Sequence, residues 1–141
     1  MASDQNTALA TLGIEKAYVM GISQGVMIAQ HLAIDFPDRV EKLVIGVSLA
    51  RQNATIQRVV NSWIHMAEAG DYRSLVIDTM EQTFTDRYLQ RYRPFYPIIT
   101  RLGKPVSFSR FLSQASAYLA HNANQQLQNI LCPTLVIGGD S

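Results

Sequence analysis

Ala17-Tyr18-Val19-Met20-Gly21-Ile22-Ser23-Gln24-Gly25-Val26-Met27 changes its hydrophobic period half-way along. The run Ala17 to Met20 is short, apolar and closed by Gly21, which suits a strand buried on both faces of a parallel sheet. From Ser23 to Phe36 the apolar residues Val26, Met27, Leu32, Ala33 and Phe36 fall at helical spacing, and Pro37 stops the helix. Leu43-Val44-Ile45-Gly46-Val47 is a second buried-type strand. A strand, a helix and a strand in that order predict parallel pairing through a right-handed crossover.

Upstream, Ser3 and Asp4 are N-cap residue types and Gly13 a C′ residue, so Asp4 to Leu12 reads as a short helix. Downstream, residues 51–131 contain no strand-like run. Helices are expected over Thr55–Ala69, Tyr72–Phe84, from Thr85-Asp86 through Tyr92 with breaks near Pro94 and Pro97, over Ser107–His121, and over Asn122–Ile130. Pro133-Thr134-Leu135-Val136-Ile137-Gly138 is a third buried-type strand. The fold class is therefore α/β. A parallel sheet of three strands with flanking helices is built from residues 1–50 and 132–141, and residues 51–131 form a helical insertion.

Bulk properties narrow the function. Hydrophobic residues make up 48% and charged residues 16% of 141, the balance of a globular domain with a real core. Twelve Lys+Arg against 11 Asp+Glu give a net charge of +1, which argues against a dedicated nucleic-acid or membrane-surface binder. No apolar run is long enough to span a bilayer, and Met1 to Ala10 lacks a basic segment followed by an apolar one. One cysteine, Cys132, makes no internal disulfide, so a reducing cytoplasmic location is expected. No Cys/His cluster has metal-ligand spacing, and neither nucleotide-binding glycine motif occurs, so no metal or cofactor is expected.

Chemistry concentrates in Gly21-Ile22-Ser23-Gln24-Gly25, a G-x-S-x-G sequence at a strand-to-helix junction. A sharp turn there strains the serine backbone and exposes Oγ. Glycines on both sides, Gly21 and Gly25, keep side chains out of the crowded turn. Ser23 then stands at a helix N-terminus, where the dipole and the Gln24 N–H favour negative charge on a substrate oxygen. The plain alternative is a helix N-cap without chemistry.

Residues 12–30 resemble the nucleophile-elbow region of the α/β-hydrolase superfamily. Phe36-Pro37-Asp38-Arg39-Val40-Glu41-Lys42-Leu43-Val44 resembles the helix end and strand that follow it, and residues 132–139 resemble the strand before that family's catalytic acid. The resemblance implies a serine hydrolase acting on an ester, lactone or related carbonyl substrate. Ser23 would be the nucleophile, the Gln24 N–H one oxyanion donor, and residues 51–131 the family's cap. Val26 departs from the pattern, which usually has a second glycine there. The family's acid, counted from Gly139, falls beyond Ser141. Asp140 is the nearest carboxylate and reads as a turn residue. The triad histidine follows the acid in the family's chain order. His31 lies about 12 Å along the helix axis from Ser23, and His65 and His121 fall in the insertion, so none reads as the base. These gaps leave a second reading, a non-catalytic module that associates through the apolar, unpaired edge of the strand Ala17 to Met20.

Two further patterns read as packing. Tyr88, Tyr92, Phe95 and Tyr96 recur at helical spacing as a core-facing stripe, with Arg87, Arg91, Arg93, Arg101, Lys104 and Arg110 on the wet side; an anion or nucleic-acid surface is the alternative. Met20, Met27, Met66 and Met80 fit core or pocket lining.

Overall fold

A computed structural model describes residues 1–47 and 49–139. In chain order the elements are α1 (Ala2–Thr11), β1 (Ala17–Ile22), α2 (Gln24–Asp35), β2 (Val40–Gly46), α3 (Ala54–Glu68), α4 (Tyr72–Thr83), α5 (Asp86–Tyr92), α6 (Tyr96–Ile99), α7 (Ser109–Ala120) and β3 (Thr134–Ile137). Short 3₁₀ turns lie at Pro37–Arg39, Arg93–Phe95 and Leu127–Asn129. The contacts divide the chain into two compact units. One comprises Met1–Gln52 with the residues from His121 on, the other Asn53–Ala120.

The first unit holds the sheet. Among the described residues it has three strands in the order β1-β2-β3, all parallel. Pairing runs from Tyr18–Lys42 to Ile22–Gly46 on one side of β2, and from Leu43–Thr134 to Gly46–Ile137 on the other. Paired residues share a face. Val19, Leu43 and Ile45 lie on the face that meets α2, where Val26, Ala29, Leu32 and Ala33 close a buried core with Val40. Arg39 fastens the amino-terminal side: its Nε donates to Asn6 Oδ1 (3.0 Å) and its Nη1 to the Ile14 and Glu15 carbonyls (3.2 and 3.3 Å). Gly13, at φ +70°, ends α1 in the left-handed conformation expected of a C′ glycine.

The other face corrects the expectation of double burial. Tyr18, Met20, Ile22, Leu135 and Ile137 are exposed, Met20 by 62%. Over β1 and β2 the helices of the described unit cover only one face, and β3 is exposed on both, Val136 on the α2 face by 70%; an apolar run cannot report which of its faces will be covered.

The second unit is helical. Asn53 Oδ1 caps α3 by accepting the Ile56 N–H (2.9 Å), and Asp71 Oδ1 caps α4 by accepting the Ser74 N–H (3.0 Å). Trp63 on α3 donates to Asp78 on α4 (2.6 Å). Arg93 binds Glu81 through two nitrogens (2.9 and 2.7 Å) and Asp86 (2.7 Å), while the Tyr96 hydroxyl donates to Glu81 (2.9 Å). Pro94 and Pro97 each sit in the first turn of a short helix, so the expected break becomes two restarts.

Two expectations change here. Asn122–Ile130 forms only the turn Leu127–Asn129 rather than a helix, and it belongs to the sheet unit. An isolated bridge from Arg51 to Asn122 and the Ala123 N–H donating to the Ala50 carbonyl (2.8 Å) tie that segment back. The tyrosine stripe is also only partly core. Leu89 and Tyr96 are buried, whereas Tyr88 and Phe95 are exposed and Phe84, Tyr88 and Tyr92 stack on one another in the open. In so short a helix, the one buried line is taken by Leu89.

Candidate active site

Ser23 sits between β1 and α2 with φ +52° and ψ −122°, a conformation that L-residues seldom adopt. Its N–H donates to the Gly46 carbonyl of β2 (3.1 Å), and its own carbonyl accepts the Val26 N–H (3.1 Å). The turn is thus held by backbone bonds from both sides, which is what strain of this kind needs in order to persist. The Ser23 side chain is exposed and makes no capping hydrogen bond. Ser23 is the N-cap residue of α2 by position, without the side-chain hydrogen bond by which a serine cap stabilises a helix.

Space at the elbow is tightest at Gly21. A Cβ there would lie 2.7 Å from the Gly25 carbonyl oxygen and 2.7 Å from Val26 Cα, both backbone atoms. At Gly25 a Cβ would meet nothing within 4 Å among the described residues, so the crowding expected at both glycines is found at one. Val26 is fully buried in the core, and it accounts for part of the contact that excludes a side chain from Gly21.

Gln24 is the first residue of α2, and the amide of a helix's first residue has no acceptor within its own helix. The first turn of α2 carries no acidic side chain, so nothing there opposes an anion attracted by the dipole. Sequence reasoning missed Val47. It follows β2 with φ +51°, in the strand adjacent to β1, and its N–H donates to the Ile137 carbonyl (2.9 Å). A β-branched residue is the least expected type in that conformation, so no sequence signal pointed to it. Ser23 and Val47 are the two non-glycine residues with positive φ among the described ones, and both stand at the carboxyl ends of paired strands. That edge is where open α/β sheets bind ligands.

The histidines lie elsewhere in chemistry. His121, expected in the insertion, is buried in the sheet unit with Nε2 3.0 Å from Gln30 Oε1 and its ring edge-on to His31. Burial pushes the His121 pKa down, and the neighbouring His31 adds to that. His31 lies 3.9 Å from Asp35, and the exposed His65 3.7 Å from Glu68. Among the described residues no side chain hydrogen-bonds Ser23 Oγ, and no group of three His, Cys, Asp or Glu could hold a metal. No described helix is long and apolar enough to cross a membrane. Asp140 lies outside the described residues. An open cleft of about 580 Å³ lies among Glu15, Lys16 and Phe36 to Arg39 at the amino ends of the strands, away from Ser23.

A profile of the alpha/beta hydrolase fold matches residues 1–141. The chain belongs to the alpha/beta hydrolase family. A proposed carbamate hydrolase, RutD, of Caulobacter vibrioides is 35% identical over 66 residues, which is 47% of this chain and 24% of that protein. Homoserine O-acetyltransferase of Thermus thermophilus is 45% identical over 51 residues, 36% of this chain and 13% of that protein. Among solved structures, an alpha/beta hydrolase enzyme from a Medee basin deep-sea metagenome library superposes with a TM-score of 0.85 at 21% identity, over 96% of this chain and 51% of that one. The enol-lactonase of Burkholderia xenovorans superposes with a TM-score of 0.80 at 23% identity, over 99% of this chain and 53% of that one. The fold is therefore shared with both superposed structures, and the chain spans about half the length of these structures and a quarter or less of these curated relatives.

Proposed function

We propose that this chain carries the nucleophile of a serine hydrolase acting on an ester, lactone or related carbonyl substrate. The observation that carries the reading is the strained, exposed Ser23 at the strand-to-helix turn, with a hydroxyl that caps nothing. Ser23 Oγ attacks the substrate carbonyl carbon, and the Gln24 N–H at the positive end of α2 receives the oxygen that becomes negative. Gly21 leaves room for the turn, while Gly25 extends the pattern without a steric demand of its own. No cofactor enters this chemistry. The helices within residues 51–131 serve as the cap that shapes the pocket and sets specificity. The single free cysteine, Cys132, fits a reducing, cytoplasmic setting.

Serine without a base is a poor nucleophile. His121 is committed to Gln30 and His31 faces Asp35, so the base is supplied by residues other than the described ones of the sheet unit. By itself this chain is then weakly active or inactive. The test is labelling by a fluorophosphonate probe, beside a Ser23→Ala control. Labelling confined to the parent chain supports an activated Ser23; equal labelling of both chains sinks the assignment.

A second reading, a non-catalytic module, is favoured by the exposed apolar face of the sheet and the unpaired edge of β1. It calls for association of the chain in light scattering and no probe labelling. A monodisperse, folded monomer counts against it.

A further inference from the structure

An aromatic column runs from the end of α4 along α5. Phe84, Tyr88 and Tyr92 stack in series, with ring centroids 4.7 and 4.6 Å apart and planes inclined by 25° and 27°. Tyr88 remains 43% exposed. Beside the rings, Arg87 and Arg91 stand one helical turn apart and line an open groove of about 280 Å³ with Thr85, Tyr88 and Tyr92. Like charges at this spacing repel on an isolated helix, and nothing among the described residues relieves them. Arg93 takes both nearby carboxylates, Glu81 and Asp86, and neither Arg87 nor Arg91 has an acidic partner. The Tyr88 phenol is held above its ordinary pKa by its hydrogen bond with Tyr92, then by burial and by repulsion from Tyr92.

We propose that this groove is a binding site for a small aromatic carboxylate. Both faces of Tyr88 are already stacked, so the ring of the ligand packs against the edges of the tyrosine column in an edge-to-face arrangement. Its carboxylate is held by the two guanidiniums, whose planar forks match a carboxylate better than an ammonium would. The groove's volume of about 280 Å³ falls just below the usual range of small-molecule sites, roughly 300–1,000 Å³, which suits one ring and one acid group rather than a polymer. Every residue that forms the groove lies in the helical unit.

The experiment is equilibrium dialysis of radiolabelled benzoate against the full 141-residue chain, a readout that does not depend on its association state. Saturable binding is expected for the parent chain and for Arg58→Gln, a control at another exposed arginine. The double variant R87Q/R91Q is expected to bind roughly tenfold more weakly or worse, and acetate, which has no ring to pack against the tyrosines, to bind at least about tenfold more weakly than benzoate. Should the double variant fail to keep its helical circular dichroism, Arg87→Gln and Tyr88→Leu singly carry the same expectation. Absence of saturable benzoate binding overturns the site, as does equal loss in R58Q. Acetate binding as tightly as benzoate removes the aromatic half of the assignment. Binding of oligothymidylate, but not benzoate, in an arginine-dependent way replaces it with a single-strand surface.

Discussion

Replacing Gly21 by alanine tests the elbow where the structure is least forgiving. The added Cβ would lie 2.7 Å from the Gly25 carbonyl oxygen, 2.7 Å from Val26 Cα and 2.8 Å from the Gly25 carbonyl carbon. All three are backbone atoms, and ordinary van der Waals contact begins near 3.4 Å, so β1 and the start of α2 must separate by several tenths of an ångström. They cannot do so freely, because Ser23 is bonded to Gly46 and Val26 is buried in the core. Overpacking of this kind costs about 1–3 kcal/mol, and rigid neighbours on both sides argue for the upper half. Gly25→Ala is the internal control. Its Cβ meets nothing within 4 Å, and an alanine within a helix lowers the unfolded chain's entropy, a gain of roughly 0.4–1 kcal/mol. The two variants should therefore differ by about 2–4 kcal/mol. Amide hydrogen exchange in β1, β2 and α2 measures this directly, whereas Trp63 fluorescence reports on the other unit. Protection lost in Gly21→Ala and kept in Gly25→Ala is the expected result. Equal protection in both variants would refute the steric account of the motif.

Three further outcomes follow from single interactions. Val47→Asn should raise the denaturation midpoint, because asparagine tolerates the φ of +51° that costs a β-branched residue about 1–2 kcal/mol, and the exposed Val47 side chain gives up little packing; a lower midpoint contradicts this. His121 has a folded-state pKa below its ordinary 6.5, so its contribution to stability is complete above that value and is lost as pH falls through the folded pKa. His121→Gln should flatten the stability-against-pH curve below neutrality, and an unchanged slope would remove His121 as the cause. Glu81 is held at about 2, first by its hydrogen bonds to Arg93, against an ordinary 4.5. Its contribution is therefore complete above 4.5 and lost as pH falls toward 2, and Glu81→Gln should erase that part of the acid titration followed by Trp63 fluorescence.

Much of this architecture was legible in the chain alone. The change of period at Gly21, the stop at Pro37 and the second apolar run are local signals, and strand, helix and strand form where they indicate. The caps at Asn53 and Asp71 are equally local, a side-chain oxygen reaching the amide three residues on, although neither was anticipated from the sequence. The position of the turn at Ser23 was readable in the motif, but the turn is held in place by Gly46 of β2 as well as by its own residues. Burial was not readable, because it depends on what lies opposite. The same apolar character gave Leu43, which is buried under α2, and Met20, which is 62% exposed on the other face. Tertiary structure likewise turned Tyr88 outward, brought His121 from sequence position 121 to Gln30, placed Arg39 against the loop before β1, and bent Val47 into a conformation its side chain opposes. Period and capping are set within a few residues. Which face is covered, which polar groups meet and where strain is stored are set by segments distant in the chain, and only the folded chain brings those together.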